Sequence, residues 1–242
     1  MSAWTPALSF VERLKYALEP REWRMRRMTR RHVRRGETEL LHLSKFVPRD
    51  RMAIDVGANK GVFSYALSKL CPRVEAFEPN PAMFEALQHA LSRNAHAHQI
   101  ALSDTNGEAE LNFPEVRGKA GVFSYQRATL LGPSASATHR ALRVQTRTLD
   151  SFDFRGVGFI KIDVEGFEQA VLDGARATLA RERPALMVEL AESHTGRPIA
   201  ESIAAIAARG YEVFVLAAGD LVPAASRSIG DRAFNFIAQP CE

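Results

Sequence analysis

The chain has 242 residues, 46% apolar and 25% charged, which excludes global disorder and suits one large domain or a domain with a small appendage. Its 32 Lys+Arg against 28 Asp+Glu give a net charge of +4, unevenly placed. Residues 1–36 hold 10 basic and 3 acidic side chains (net +7), leaving 22 basic and 25 acidic (net −3) for 37–242, an asymmetry that fits either an anionic partner at one end only or a solvated helical cap packed on the sheet edge, the second being favoured.

Residues 9–35 read as a helix or two. Phe10, Leu14, Leu18 and Trp23 recur at roughly helical spacing, and arginines fill the rest. Glu19-Pro20 predicts a break, because a residue before proline avoids the α region. Gly36 closes this basic helical extension, and 37–242 reads as the main domain. Strands are expected at 52–56, 74–77, 97–102, 159–163, 185–190, 211–216 and 233–238, and helices at 61–70, 81–92, 167–179 and 199–208. Between the third and fourth strands, 108–113 and 142–149 alternate polar and apolar around a Gly- and Ser-rich stretch, 118–138. That predicts a small antiparallel insertion with a loop. Strands alternating with helices imply an α/β, Rossmann-like sheet covered on both faces, whose ligands bind beyond the carboxyl ends of the strands.

Cys71 and Cys241 lie far apart and outside any CxxC, which argues against a disulfide framework or a zinc site and fits a reducing, cytoplasmic setting. The longest apolar runs fall well short of the ~18 residues of a membrane span. Glu12 and Arg13 interrupt any signal-peptide core, so none is expected.

The first strand ends in Asp55-Val56-Gly57-Ala58-Asn59-Lys60-Gly61. Gly57 permits a sharp turn, Gly61 lets the helix start close to the sheet, and the loop is expected to offer backbone N–H groups. The G-x-G-x-x-G spacing of a dinucleotide site fails at Asn59. Asp55 would repel a pyrophosphate but suits a cationic, amino-acid-bearing cofactor. The bland alternative is a tight turn without a ligand. Glu78 ends the second strand, 23 residues after Asp55, where an acid can accept from two ribose hydroxyls; it also suits the helix N-terminus that follows. Ser103 and Asp104 end the third strand and read equally as an adenine contact or as a turn. In the fourth, Lys161 and Asp163 point the same way within an apolar run, which is costly unless the charges are paired or used.

Asp55–Gly61, Glu78-Pro79-Asn80, Ala101–Asp104, Thr148-Leu149-Asp150 and the string Lys161-Ile162-Asp163-Val164-Glu165-Gly166 follow one another at sensible spacing. In this order they resemble the FkbM family of S-adenosylmethionine-dependent methyltransferases, from about residue 51 to 190. The resemblance implies a seven-stranded sheet with an antiparallel last hairpin, and methyl transfer to a hydroxyl of a sugar, glycoconjugate or polyketide-type product. It also implies that Asp55, Gly57, Asn59 and Gly61 line the methionine part, Glu78 the ribose, Ser103 and Asp104 the adenine, and Asp163 the methyl-transfer face. Residues 1–36 lie outside it.

An alcohol is a poor nucleophile near neutral pH, so a base, or a metal that lowers its pKa, is expected. Asp163 is the first candidate, with Glu165 and Glu189 as companions and His194 as a rival base. Converging carboxylates offer oxygen ligands of the kind Mg²⁺ takes, although no metal set is assigned. His96 and His98 read as exposed. The acceptor pocket is expected from the 118–138 loop, the N-terminal segment and the loop after strand five, with Phe123, Tyr125 and His139 as lining candidates. The arginine-rich front keeps two further classes open: an RNA methyltransferase, and a non-catalytic protein that binds a membrane or a partner. The acidic body argues against nucleic acid.

Overall fold

The computed structural model describes residues 5–115, 124, 128–130, 139–226 and 234–241. Two helices lead, α1 (Phe10–Leu18) and α2 (Arg21–Arg34). Ser9 and Glu12 form a reciprocal capping box at the start of α1. Pro20 separates the helices, as its fixed φ and missing N–H predict. The chain then alternates through β1 (Met52–Val56), α3 (Val62–Leu67), β2 (Val74–Phe77), α4 (Pro81–Gln88) and β3 (Ala95–His98). A small sheet follows, from β4 (Ala101–Leu102), β5 (Gly107–Pro114) and β6 (His139–Arg147). The main sheet resumes with β7 (Val157–Ile162), then α5 (Glu168–Asp173), α6 (Arg176–Glu182), β8 (Ala185–Leu190), α7 (Glu192–Thr195) and α8 (Ile199–Ala207). β9 (Tyr211–Ala217), β10 (Asp220–Pro223) and β11 (Phe234–Pro240) complete it.

The strand order is β10-β9-β11-β8-β7-β1-β2-β3, with β1, β2, β3, β7 and β8 parallel and β11 antiparallel between β8 and β9. This is the expected mostly parallel sheet with an antiparallel last pair. It has eight strands rather than seven, because Ala218 and Gly219, both at positive φ, turn the chain back into an edge hairpin. The expected third strand is split. Ala95–His98 pairs with β2, whereas Ala101–Leu102 leaves the main sheet to pair with β6.

Period-two alternation sorts each buried strand between two cores. Met52, Ile54 and Val56 of β1 face the core that holds Ile162 and Val188; Ala53, Phe159 and Met187 face the other, shared with Phe63 of α3. Met25 of α2 is fully buried in this second core, a burial that stabilises by about 1.5–3 kcal/mol. Arg24, itself buried, donates to Tyr16 O and Glu19 O at the end of α1 and to His89 O beyond α4. The basic segment is thereby fastened to the body.

Candidate active site

The register of β1 on β7 sets Asp55 beside Lys161, and alternation places both on the second core face with Glu189 of β8. Four ionisable side chains meet at this edge. Lys161 Nζ is 3.6 Å from Asp55 Oδ1 and 3.1 Å from Asp163 Oδ2, and also lies over the Phe63 ring. Ser64 donates to Asp55 Oδ2 at 2.6 Å. Burial alone would lower the Lys161 ammonium, but Asp163 and Asp55 outweigh it and hold the group above its usual value. Burial pushes the Asp163 carboxyl up; Lys161 and a hydrogen bond with Glu189 overcome this, leaving it below its usual value. The adjacent Asp163 charge, together with burial, drives Glu189 up to about 10. The Asp163–Glu189 pair therefore titrates as a unit, with the proton favoured on Glu189 because Lys161 contacts Asp163 directly.

A cleft of about 680 Å³ opens over this edge. Gly57, Asn59, Glu78, Asp163, Glu165 and Glu189 line its floor, and Tyr16, Arg31 and His32 are among the N-terminal residues of its wall. The loop's own donors are spent inside the fold. Gly57 N and Ala58 N donate to Phe77 O, Asn59 N to Glu78, Lys60 N to the Asn59 side chain and Gly61 N to Ala58 O. The free N–H groups expected from the sequence are thus absent at these five residues, so the loop itself has no donor left for a pyrophosphate. Gly57 is required by a close approach: a Cβ there would lie 1.8 Å from Asp163 O. Gly61 serves helix packing, with its would-be Cβ 2.8 Å from Ala90 and Leu87, and does not line the cleft. Asp55 lies beneath the floor, fully buried.

Glu78 accepts from Asn59 N at 2.8 Å and Asn80 N at 2.9 Å. Burial pushes its carboxyl up to about 7. Past it the cleft floor is apolar, from Phe77, Ile100 and Leu102. Ser103 and Asp104 do not reach the cleft. Ser103 is buried under Gly174, its N–H bonds Arg147 O, and its hydroxyl donates to Asp104. Thr148-Leu149-Asp150 is likewise structural, since the Asp150 carboxylate accepts from Ala177 N and Thr178 N at the start of α6.

Glu165 sits at φ +53°, a left-handed position that costs a non-glycine residue about 1–3 kcal/mol. Its carboxylate faces the cleft with His194 Nε2 3.0 Å behind it. Buried Glu168 accepts from Val164 N and Gly166 N and so fixes this turn. His98 corrects its expected exposure: it is half-buried, stacks on Phe77 and lies 2.5 Å from Glu75. His96, largely exposed, also faces Glu75. Phe123 and Tyr125 lie outside the described residues, and His139 stands exposed at the start of β6, away from the cleft. Ala128, Thr129 and Leu130 do line the cleft. They belong to the 118–138 loop expected to build the pocket, although no pattern distinguished these three within it; Thr129 is brought there by its bridge to Asn112 and its hydrogen bond to Glu165 O.

Among the described residues no group of three or more His, Cys, Asp or Glu side chains is arranged to hold a metal. Around Asp55 and Asp163 the compensating charge is the Lys161 ammonium, which stands between the two carboxyls where a cation would have to sit. This donor set does not fit Mg²⁺. The same residues do fit a cationic, amino-acid-bearing cofactor, because the carboxyls of Asp55, Asp163 and Glu189 outnumber the single Lys161 ammonium at this edge, and Asp163 and Glu189 line the cleft.

The Methyltransferase FkbM domain matches residues 55–213. "Methyltransferase 1" of Beauveria bassiana (strain ARSEF 2860) is 27% identical over 167 residues, covering 57% of this chain and 67% of that protein. "Methyltransferase sdnD" of Sordaria araneosa is 28% identical over 127 residues, 49% of this chain and 46% of that one. The crystal structure of methyltransferase FkbM from Methylobacillus flagellatus KT superposes with a TM-score of 0.52 at 17% identity, over 79% of this chain and 44% of its own. SMU.1697c from Streptococcus mutans, solved in complex with SAH, gives 0.51 at 11% identity, over 84% and 96%. At these identities the two structures share the fold. The chain spans less than half of sdnD and of the Methylobacillus protein. The matched segment contains the glycine loop, Glu78 and the strand-end carboxylates that meet at this cleft, and the chain belongs to the FkbM methyltransferase family.

Proposed function

We propose that the protein is an S-adenosylmethionine-dependent O-methyltransferase whose acceptor is a hydroxyl of a sugar, glycoconjugate or polyketide-type product. The observation that carries this reading is the Asp55–Lys161–Asp163–Glu189 cluster, which keeps an ionised carboxylate at the cleft floor. When bound, S-adenosylmethionine supplies a methyl group on a sulfonium, which needs chiefly an in-line nucleophile. Gly57 and Asn59 face its methionine part, with the Asp55 charge behind them. Glu78 takes the ribose: two of its lone-pair sites serve Asn59 N and Asn80 N, and two remain for hydroxyls. Phe77, Ile100 and Leu102 suit the face of a purine.

Asp163 holds the acceptor proton. An alcohol oxygen becomes strongly acidic as it gains a carbon, so a weakly basic carboxylate suffices late in the reaction. Lys161 keeps Asp163 ionised, and the protonated Glu189 donates to it and fixes its orientation. Glu165, backed by His194, is the second proton acceptor at this floor. The N-terminal wall and Ala128, Thr129 and Leu130 exclude water and select the acceptor.

The test is incubation with methyl-labelled S-adenosylmethionine and a panel of glycosides and polyketide alcohols, with products located by mass spectrometry. O-methyl products are expected. Methylation confined to nitrogen or carbon would overturn the hydroxyl assignment, and failure to bind S-adenosylmethionine by calorimetry would overturn the whole reading.

A further inference from the structure

Helix α1 turns its polar side to the protein and its apolar side to water. Arg13 pairs with Glu85 at 2.8 Å, Tyr16 stacks on His89, and Glu12, Lys15 and Glu19 line the cleft. Phe10, Val11, Leu14 and Leu18 are all exposed, Phe10 to 79% and Leu18 to 73%, and no residue of α1 is buried. Positions 10, 14 and 18 recur every fourth residue, with 11 adjoining, so they form one face. Single exposed apolar residues are ordinary, but a contiguous face marks an interaction surface.

Helix α2 adds charge to this. Trp23, 71% exposed, shares a surface hollow with Arg26, Arg27, Arg30, Arg31, Arg34 and Arg35. Arg27 pairs with Glu19; among the described residues the other five arginines of the hollow have no ion pair. The rest of the chain, 37–242, is net negative, so this cationic surface is local. An exposed apolar helix face followed by an arginine-rich helix with an exposed tryptophan matches an anionic bilayer. Apolar side chains enter the acyl boundary, tryptophan sits at headgroup level, and guanidiniums meet lipid phosphates.

We propose that α1 and α2 form a docking surface for a bilayer bearing anionic headgroups. The same two helices wall the cleft, and Arg27, Arg31 and Arg35 line both the cleft and the arginine surface. Docking through the arginine face thus sets the cleft edge formed by Arg27, Arg31 and Arg35 beside the headgroup layer. It does not depend on which acceptor the cleft takes.

The test is sedimentation of the full chain with phosphatidylcholine vesicles, with and without phosphatidylglycerol. Binding to the anionic vesicles is expected to be stronger by about tenfold or more and to weaken in high salt. Arg26→Glu, Arg30→Glu and Arg34→Glu together should cut it by about a hundredfold. Phe10→Ser with Leu14→Ser and Leu18→Ser should remove the binding that survives salt. All six positions are exposed, so an unchanged melting temperature verifies folding. In a Trp4→Phe background, which leaves Trp23 as the sole tryptophan, emission should shift to the blue on adding anionic vesicles. Equal binding to neutral and anionic vesicles, or no binding, would overturn the proposal. So would a dimer in solution that Leu14→Ser abolishes, which assigns the face to a second copy. Arginine-dependent RNA binding without vesicle binding would also overturn it.

Discussion

Lys161 Nζ lies 3.1 Å from the Oδ2 of Asp163, two residues further along the same strand end, and its other flank is taken by Asp55 at 3.6 Å. One almost fully buried ammonium compensates two carboxylates. Lys161→Met is therefore expected to destabilise the protein by about 3–5 kcal/mol, because it leaves buried charge without its partner. Urea denaturation measures this. Combining Lys161→Met with Asp163→Asn should cost less than the sum of the single changes; strict additivity would show that the two side chains do not interact.

Gly57 makes the same edge sensitive to a single methyl group. At φ +75° an added Cβ would sit 1.8 Å from Asp163 O, so the backbone of β1 or of the turn after β7 must move. Gly57→Ala should cost about 1–3 kcal/mol from the backbone conformation alone. It should also weaken S-adenosylmethionine binding, because the displaced atoms form the cleft floor. Calorimetry decides the point: intact affinity would mean that the loop relaxes without disturbing Asp163.

The parts legible in the sequence are those fixed by local pattern. Alternation within 159–163 put Lys161 and Asp163 on one side of a strand, and the structure places their charged atoms together. Pro20 marked the break between α1 and α2. What stayed hidden depends on where distant segments land. Ser103 and Asp104 follow a strand that leaves the main sheet after His98, and the close approach of Gly174 fixes Ser103 away from the cleft. His98 looked like a surface residue until pairing of β3 on β2 set it against Glu75 and Phe77. The loop N–H groups looked available because the sequence does not reveal that Phe77 O and Glu78 consume three of them.

Glu78 predicts a pH dependence whose sign is fixed. Its folded pKa, raised by burial to about 7, exceeds its ordinary value of 4.5, so the native protein retains a proton that the unfolded chain releases. Stability from this group is fully present below about pH 4.5 and is lost as pH rises to about 7, a change of up to roughly 3 kcal/mol. Glu78→Gln should flatten that part of the stability–pH curve. Ribose hydroxyls donating to the carboxylate favour its ionised form, so affinity for S-adenosylmethionine should strengthen as pH rises through about 7. An affinity that neither varies with pH nor falls in Glu78→Gln would refute the ribose role.

Asp163 and Glu189 share a proton but not a role, and substitution separates them. Asp163→Ala should lower turnover by about 10²–10⁴-fold while leaving S-adenosylmethionine affinity within about tenfold, or ~1.4 kcal/mol. Glu189→Gln keeps a donor toward Asp163 and should preserve most of the rate. Glu189→Ala removes both that donor and a group coupled to Asp163, and should displace the acid limb of the pH–rate profile as the Asp163 carboxyl readjusts. If Asp163→Ala turns over at the parent rate, the proton must leave by Glu165 and His194, the other acid–base pair at this floor. His194→Gln would then carry the loss assigned to Asp163, and Glu189→Ala would leave the pH profile unmoved.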